Sequence, residues 1–100
     1  MSKEIKTPSW LTVRGDSVTV ALSKPSQSNG VQVDALTLRA PTVRDIRNSS
    51  KASDGDEEQR ELNLFASLAE VGLQDLEGLT YKDYNRVQAG YTFLVREDEL

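Results

Sequence analysis

LTLRAPTVRDIRN, residues 36–48, changes its period half-way along. Leu36 and Leu38 alternate with Thr37 and Arg39, the pattern of a strand with one face buried. Pro41 has no N–H to give a sheet ladder, so the strand must end there. Thr42 then stands where a helix N-cap belongs, and Asp45 falls at the third helical position as a shortened capping-box partner. Val43 and Ile46 supply one apolar edge of a short helix over 42–48. The stretch reads as a strand-to-helix corner. It divides the chain into a sheet half and a helical half, an α+β fold.

Upstream of the corner the period is two. In SVTVALS, residues 17–23, Val18, Val20 and Leu22 face one way while Ser17, Thr19, Ala21 and Ser23 face the other. KPSQSNG carries a proline and an Asn-Gly step, which is turn and loop chemistry. VQVDALTLRA opens a second strand with Val31 and Val33 in phase, but Leu36 and Leu38 lie on even positions. A β-bulge near Asp34 and Ala35 restores one face. The reading is a hairpin with a loop longer than two residues. WLTV, residues 10–13, adds a third strand through a turn at Arg14-Gly15-Asp16. The sheet half is thus a hairpin or a three-stranded meander over 10–40.

Downstream, NSSKASDGD (48–56) has no large apolar residue, and 49–55 reads as a flexible loop. Three to four helices account for the chain with the short one at 42–48 included. Asp56 caps the next helix, with Gln59 at its third position. Leu62, Phe65, Ala66 and Ala69 fall at helical spacing, and Leu64, Leu68 and Val71 form a second row. Gly72 is placed to stop this helix as its C′ residue. LQDLEGL gives a short helical segment with Leu73, Leu76 and Leu79. Thr80 caps a last helix from Tyr81 to about Val95, striped with Tyr84, Val87, Tyr91 and Leu94. One small domain over 10–95 results, with its helical half at 56–95. A flexible start over 1–9 and an acidic tail over 96–100 flank it.

Composition narrows the function classes. The 100 residues contain no Cys and no His, so thiol chemistry and the commonest general base and metal ligand are missing. No pair of carboxylates sits in an apolar setting that would tune one of them. The expectation is a protein that is not an enzyme, with no catalytic, metal or cofactor-binding residues and no cofactor. A net charge of -4 argues against nucleic acid as the main partner. MSKEIKTPSW lacks the apolar core of a leader and no run approaches spanning length, so no membrane partner and a cytoplasmic place are expected.

Several motifs have plainer readings. Arg14-Gly15-Asp16 spells an adhesion tripeptide but suits a turn between strands. EDEL at the C-terminus needs an export signal to act as a retention address. DGDEE has its glycine at the second position, where a calcium loop needs one at the sixth, and reads as a charged helix N-terminus. Arg39, Arg44 and Arg47 form either a basic patch for an anion or acidic partner, or a solvated helix face pairing with the DGDEE acids. Tyr81, Tyr84 and Tyr91 are either core or a recognition surface. The two long helices carry more apolar face than a hairpin of this size covers.

The order of segments carries a resemblance. VTVALSKP, then LTLRAPTVRDIR, then ELNLFASLAEVGL, then LTYKDYNRVQAGYTFL resembles the tail assembly chaperone family of Mu-like long-tailed bacteriophages. The shared pattern is L-S-K-P closing one strand, L-T-L-R-x-P-T-V-x-D, a leucine-rich helix ending in G-L, and a D-Y-x-R-L-Q-type helix. It covers roughly residues 18–94. Val87 stands where the pattern has leucine, and the segment from Gly72 to Asp83 is shorter than the pattern.

The resemblance implies a non-enzymatic protein that binds the long, helical, aggregation-prone tape measure protein while tube subunits polymerise around it. It also implies, as a frequent companion, a longer form of the same protein made by ribosomal frameshifting. A homo-oligomer stays open. The residues expected to meet the partner are Leu68, Leu73, Tyr84, Val87, Tyr91 and Leu94, divided between core and an exposed or self-associating groove. The competing reading is a structural tail or baseplate protein retained in the virion.

Overall fold

The computed structural model describes residues 7–96. Most of the expected flexible start (1–6) and of the acidic tail (97–100) lies outside the described residues. Three strands, β1 (Leu11–Arg14), β2 (Ser17–Ser28) and β3 (Val31–Arg39), form an antiparallel sheet in the order β1-β2-β3. Four helices follow: α1 (Val43–Ser53), α2 (Glu57–Ala69), α3 (Leu73–Glu77) and α4 (Tyr81–Val95). This is the α+β arrangement expected from the change of period at Pro41.

The register explains the core. Val18 pairs with Leu38 and Val20 with Leu36, and all four are buried on one face. Thr19 and Thr37 pair on the other face, their hydroxyls 3.0 Å apart in the open. A second layer of helices covers the apolar face, with Leu64, Phe65, Leu68, Leu76 and Val87 completing the core. Burying side chains of this size contributes about 1.5–3 kcal/mol each before entropy is counted.

Two readings of the hairpin need correction. The loop is the tight two-residue kind, because β2 continues to Ser28 and Asn29-Gly30 alone turns the chain. Both turn residues have positive φ, 53° and 85°, the conformation that matches the twist of paired strands. The bulge sits on the other strand. Pairing runs to Ala21↔Ala35 and resumes at Ser26↔Val33, so β2 carries the extra residues, Leu22 to Pro25, opposite Asp34. Pro25 is tolerated there because a bulge leaves its nitrogen without a ladder bond to make.

The corner after β3 forms as its residues dictate. The Thr42 hydroxyl accepts the Asp45 N–H at 3.1 Å, and the Asp45 carboxylate accepts the Thr42 N–H at 2.8 Å. Arg39 adds a two-pronged bond to the same carboxylate, at 2.7 and 3.2 Å. One arginine of the three therefore locks the corner, pairing with Asp45 and not with the DGDEE acids. Its hydrogen bonds, with that of the Thr42 backbone, hold the Asp45 carboxyl far below the usual carboxylate range.

The helix does not stop at residue 48. Residues 49–53, expected in the loop 49–55, form its last turns. Ser49 and Ser53 are buried, and their hydroxyls donate back to the carbonyls of Ile46 and Ser49. Small polar residues here let α1 press against α2, where Asn63 donates to the Ser53 hydroxyl at 3.0 Å. Only Asp54 and Gly55, both at positive φ, separate α1 from the Asp56 cap.

The end of α2 also differs. Glu70 takes the left-handed conformation at φ 58°, and the N–H groups of Glu70 and Val71 return to the carbonyls of Ser67 and Ala66. That is a Schellman ending centred on Glu70. Gly72, at φ -80°, opens α3 instead.

Candidate functional site

Helix α4 is fixed to the sheet by a buried carboxylate. Asp83 has no exposed surface and lies in its first turn, capped by Thr80. Its two oxygens accept the N–H groups of Ser23 at 2.8 Å and Lys24 at 3.2 Å, both in the β2 bulge. Burial pushes this carboxyl up, but hydrogen bonds from Ser23, Lys24 and Thr80 outweigh it and hold the group below its usual value. One turn on, Arg86 donates to the Ala21 carbonyl at 2.8 Å and lies over the Trp10 ring at 5.2 Å. The L-S-K-P bulge and the D-Y-x-R helix start are thus two halves of one clamp. Further along, Gly90 lets the helix touch the sheet: a methyl group on it would lie 2.9 Å from a Val20 methyl.

A second tie holds the hairpin tip. The Asn29 N–H donates to Asp75 at 3.0 Å and the Asn29 side chain to the Glu70 carbonyl at 3.1 Å. The left-handed ending of α2 is therefore also a docking point for the Asn-Gly turn.

The other side of α4 is open. It faces α2 across a gap bridged by side chains. Phe65 meets Tyr84 and Tyr91 with ring centroids 5.9 and 5.2 Å apart. Glu61 accepts the Tyr84 hydroxyl at 2.9 Å and the Gln88 amide at 3.1 Å. Burial, and then the hydrogen bond and charge of Glu61 with the charge of Glu58, push the Tyr84 phenol well above its usual value. A cavity of about 360 Å³ lies to one side of this bridge, lined by Leu64, Phe65, Tyr91, the acids Glu57, Glu58 and Glu61, and Arg60, which pairs with Glu57. Another of about 350 Å³ lies to the other side, where Leu62, Leu76, Leu79 and Tyr84 meet Glu58, Glu61 and Glu77. Together they make a groove floored by Leu62, Tyr84 and Tyr91 over the buried Leu64 and Phe65, with a rim of carboxylates that Arg60 interrupts.

The expected contact residues divide accordingly. Tyr84 and Tyr91 line the groove. Leu68 and Val87 are core, at 1% and 0% exposure. Leu73 and Leu94 are half-buried against that core and line neither cavity. Among residues that sequence reasoning did not assign to the groove, Glu58, Glu61 and Gln88 matter most. Glu58 and Glu61 are three apart on α2, Tyr84 and Gln88 four apart on α4, so each pair marks one helix face. Their meeting depends on how the helices cross.

The outward face of α1 is the electrostatic opposite. Arg44, Arg47 and Lys51, at i, i+3 and i+7, line a concavity of about 440 Å³ with Val43 and Asn48. Among the described residues no ion pair neutralises these three cations. Nor do the described residues hold a cluster of carboxylates suited to a metal ion, or a helix long and apolar enough to cross a membrane.

Residues 19–96 match the family described as phage tail assembly chaperone proteins, E, or 41 or 14. The chain belongs to that family. Searches of curated proteins and of solved structures found no match. The matched span begins inside β2 and ends just beyond α4, so it takes in the bulge, the clamp and both walls of the groove. β1 and the Trp10 platform under Arg86 lie outside it.

Proposed function

We propose that this tail assembly chaperone takes up amphipathic helices of the tape measure protein in the α2–α4 groove. There it keeps them soluble, in the host cytoplasm, while tail tube subunits polymerise around them. The observation that supports this reading is the groove's composition: Leu62, Tyr84 and Tyr91, backed by the buried Phe65, form an apolar floor beneath Glu58, Glu61, Glu77 and the Glu57–Arg60 pair, a rim of net negative charge. Such a surface favours a helix with one apolar stripe flanked by Lys and Arg. Selection by floor and rim needs no bond-making step, so the role is non-enzymatic. A longer frameshifted form would present the same groove.

Co-expression with the tape measure protein tests it. Leu62→Lys puts a charge on the floor at a half-buried position. The variant is expected to fold, judged by its circular dichroism melt, and to leave the tape measure protein in the pellet. A folded variant that still co-purifies with soluble tape measure protein would overturn the groove assignment. Mass spectrometry of purified virions is expected to find the chaperone absent; stoichiometric presence would favour a structural tail part instead.

A further inference from the structure

The hairpin tip, away from the groove, joins a reactive dipeptide to a specific dock. Asn29 and Gly30 are both exposed and both hold positive φ. In an Asn-Gly step the side-chain amide carbon can close a five-membered ring with the next backbone nitrogen, and glycine puts no side chain in the way. A methyl group built on Gly30 would meet nothing within 4 Å, so the space beside this peptide is open. Yet Asn29 is not free to react. Its N–H donates to the Asp75 carboxylate at 3.0 Å, and its side-chain amide donates to the Glu70 carbonyl at 3.1 Å. The nitrogen that ring closure would expel is the one that is bonded.

We infer that Asn29 is a site of spontaneous deamidation in the folded protein, paced by undocking of the hairpin tip from the end of α2, and that the product no longer docks. Solvent base takes the Gly30 N–H proton, the nitrogen attacks Asn29 Cγ, and the side-chain nitrogen leaves as ammonia. Water then adds at one of the two imide carbonyls and the C–N bond there breaks. Aspartate or isoaspartate results at position 29, with the Gly30 N–H restored. Ring closure needs the amide to leave Glu70 and swing toward Gly30, so it proceeds only from the undocked tip.

Both products oppose the return. A carboxylate has no proton to donate to the Glu70 carbonyl, and it adds negative charge beside Asp75 on a chain already at -4. Isoaspartate also inserts a backbone carbon into a two-residue turn whose fit to the strands depends on two positive φ angles. Ammonia is lost to bulk water, so the release runs one way.

Peptide mapping by mass spectrometry, after incubation in mildly alkaline buffer, decides it. The folded wild type should convert at position 29 on the order of tenfold more slowly than the same protein in guanidinium chloride, the worth of two exposed hydrogen bonds. Asp75→Ala removes one of the two and should convert at an intermediate rate, with its fold checked by circular dichroism. Should that variant not fold, the two wild-type rates still decide. No conversion in the folded protein, or conversion as fast as in denaturant, sinks the inference. The converted form, separated by anion exchange on its extra charge, should exchange the position-29 amide hydrogen about tenfold faster than the wild type. Asn29→Asp, the normally linked product, should show the same loss of protection. Protection equal to the wild type in both would mean that the modified tip still docks, against the inference.

Discussion

Helix α4 has two sides, and they are built by opposite rules. Toward the sheet it is close-packed and has no clearance. Val87 is fully buried, Gly90 touches Val20, and Asp83 is satisfied by two backbone N–H groups. Toward α2 it stands off, and the space is spanned by Tyr84, Tyr91 and Gln88 reaching for Phe65 and Glu61. A side with no spare volume specifies one arrangement of the chain. A side held by long bridging groups can part or re-pack without losing the fold. The domain thus keeps its stability on the sheet side and leaves its adaptable surface on the other.

The largest expected effect lies in the clamp. Asp83→Ala removes both acceptors and leaves the Ser23 and Lys24 N–H groups without them, a cost of about 3 kcal/mol or more. Against a small domain's whole stability this is enough to unfold much of the population, visible as a collapsed thermal transition. The carboxyl's folded value lies below its usual 3.8. Its contribution is therefore fully present above 3.8 and fades as pH falls through the lower folded value. Wild-type melts should drop on acidification through this window, while those of a surviving Asp83→Asn variant should drop less. Equal acid sensitivity in both would assign the pH dependence to other carboxylates.

Gly90→Ala comes next. An added methyl improves intrinsic helix propensity by about 1 kcal/mol. It also meets a Val20 methyl at 2.9 Å on a stiff, β-branched side chain, and overpacking of this kind costs about 1–3 kcal/mol. The clash should win, giving a net loss of about 1 kcal/mol in urea unfolding. A gain in stability would mean the sheet side has room to give.

How much of this was legible beforehand follows the range of each interaction. The Pro41–Thr42 corner, the Asp56 cap and the Thr80 cap were readable because each is settled within four residues. The helical nature of 49–53 was not. Ser49 and Ser53 look like loop residues until α2 is beside them and closeness becomes the requirement. The phase slip shows in the sequence but not the strand that carries the bulge, since it is Asp83, sixty residues from Ser23, that holds Ser23 and Lys24 out of the ladder. Leu68 and Val87 share a helical stripe with groove residues, and periodicity cannot separate a row facing a sheet from one facing a gap. The acids of the rim lie on separate helices, and the sequence does not show that they share one edge. The groove needed both.

On the open side, Tyr91→Ala should cost about 1–2 kcal/mol, since the ring is half-buried and gives up its contact with Phe65. If the groove takes up the tape measure protein as proposed, its capture should fall by more than the melt explains. Leu94→Ala is the control: also half-buried, it lines neither cavity, so it should soften the melt and leave capture intact. If the two variants behave alike, the binding surface does not extend to Tyr91.

The smallest effect sharpens the comparison most. Tyr84→Phe keeps the ring against Phe65 and deletes only the hydroxyl that donates to Glu61. Glu61 retains the Gln88 amide at 3.1 Å, so no buried acceptor is stranded. The loss should be about 0.5–1 kcal/mol at neutral pH, the net worth of one partly exposed hydrogen bond. The phenol's folded value lies above its usual 10.0, because burial and the neighbouring Glu61 both disfavour its charged form. A raised value contributes stability that is fully present below 10.0 and is lost as pH rises above it. The gap between wild type and Tyr84→Phe should therefore hold steady through neutral pH and narrow in alkaline solution, because the phenylalanine has no proton to lose. Paired urea titrations at neutral and alkaline pH read this directly. A gap that is constant throughout would mean that Tyr84 is as free in the fold as in the unfolded chain, and that the bridge across the groove is open most of the time.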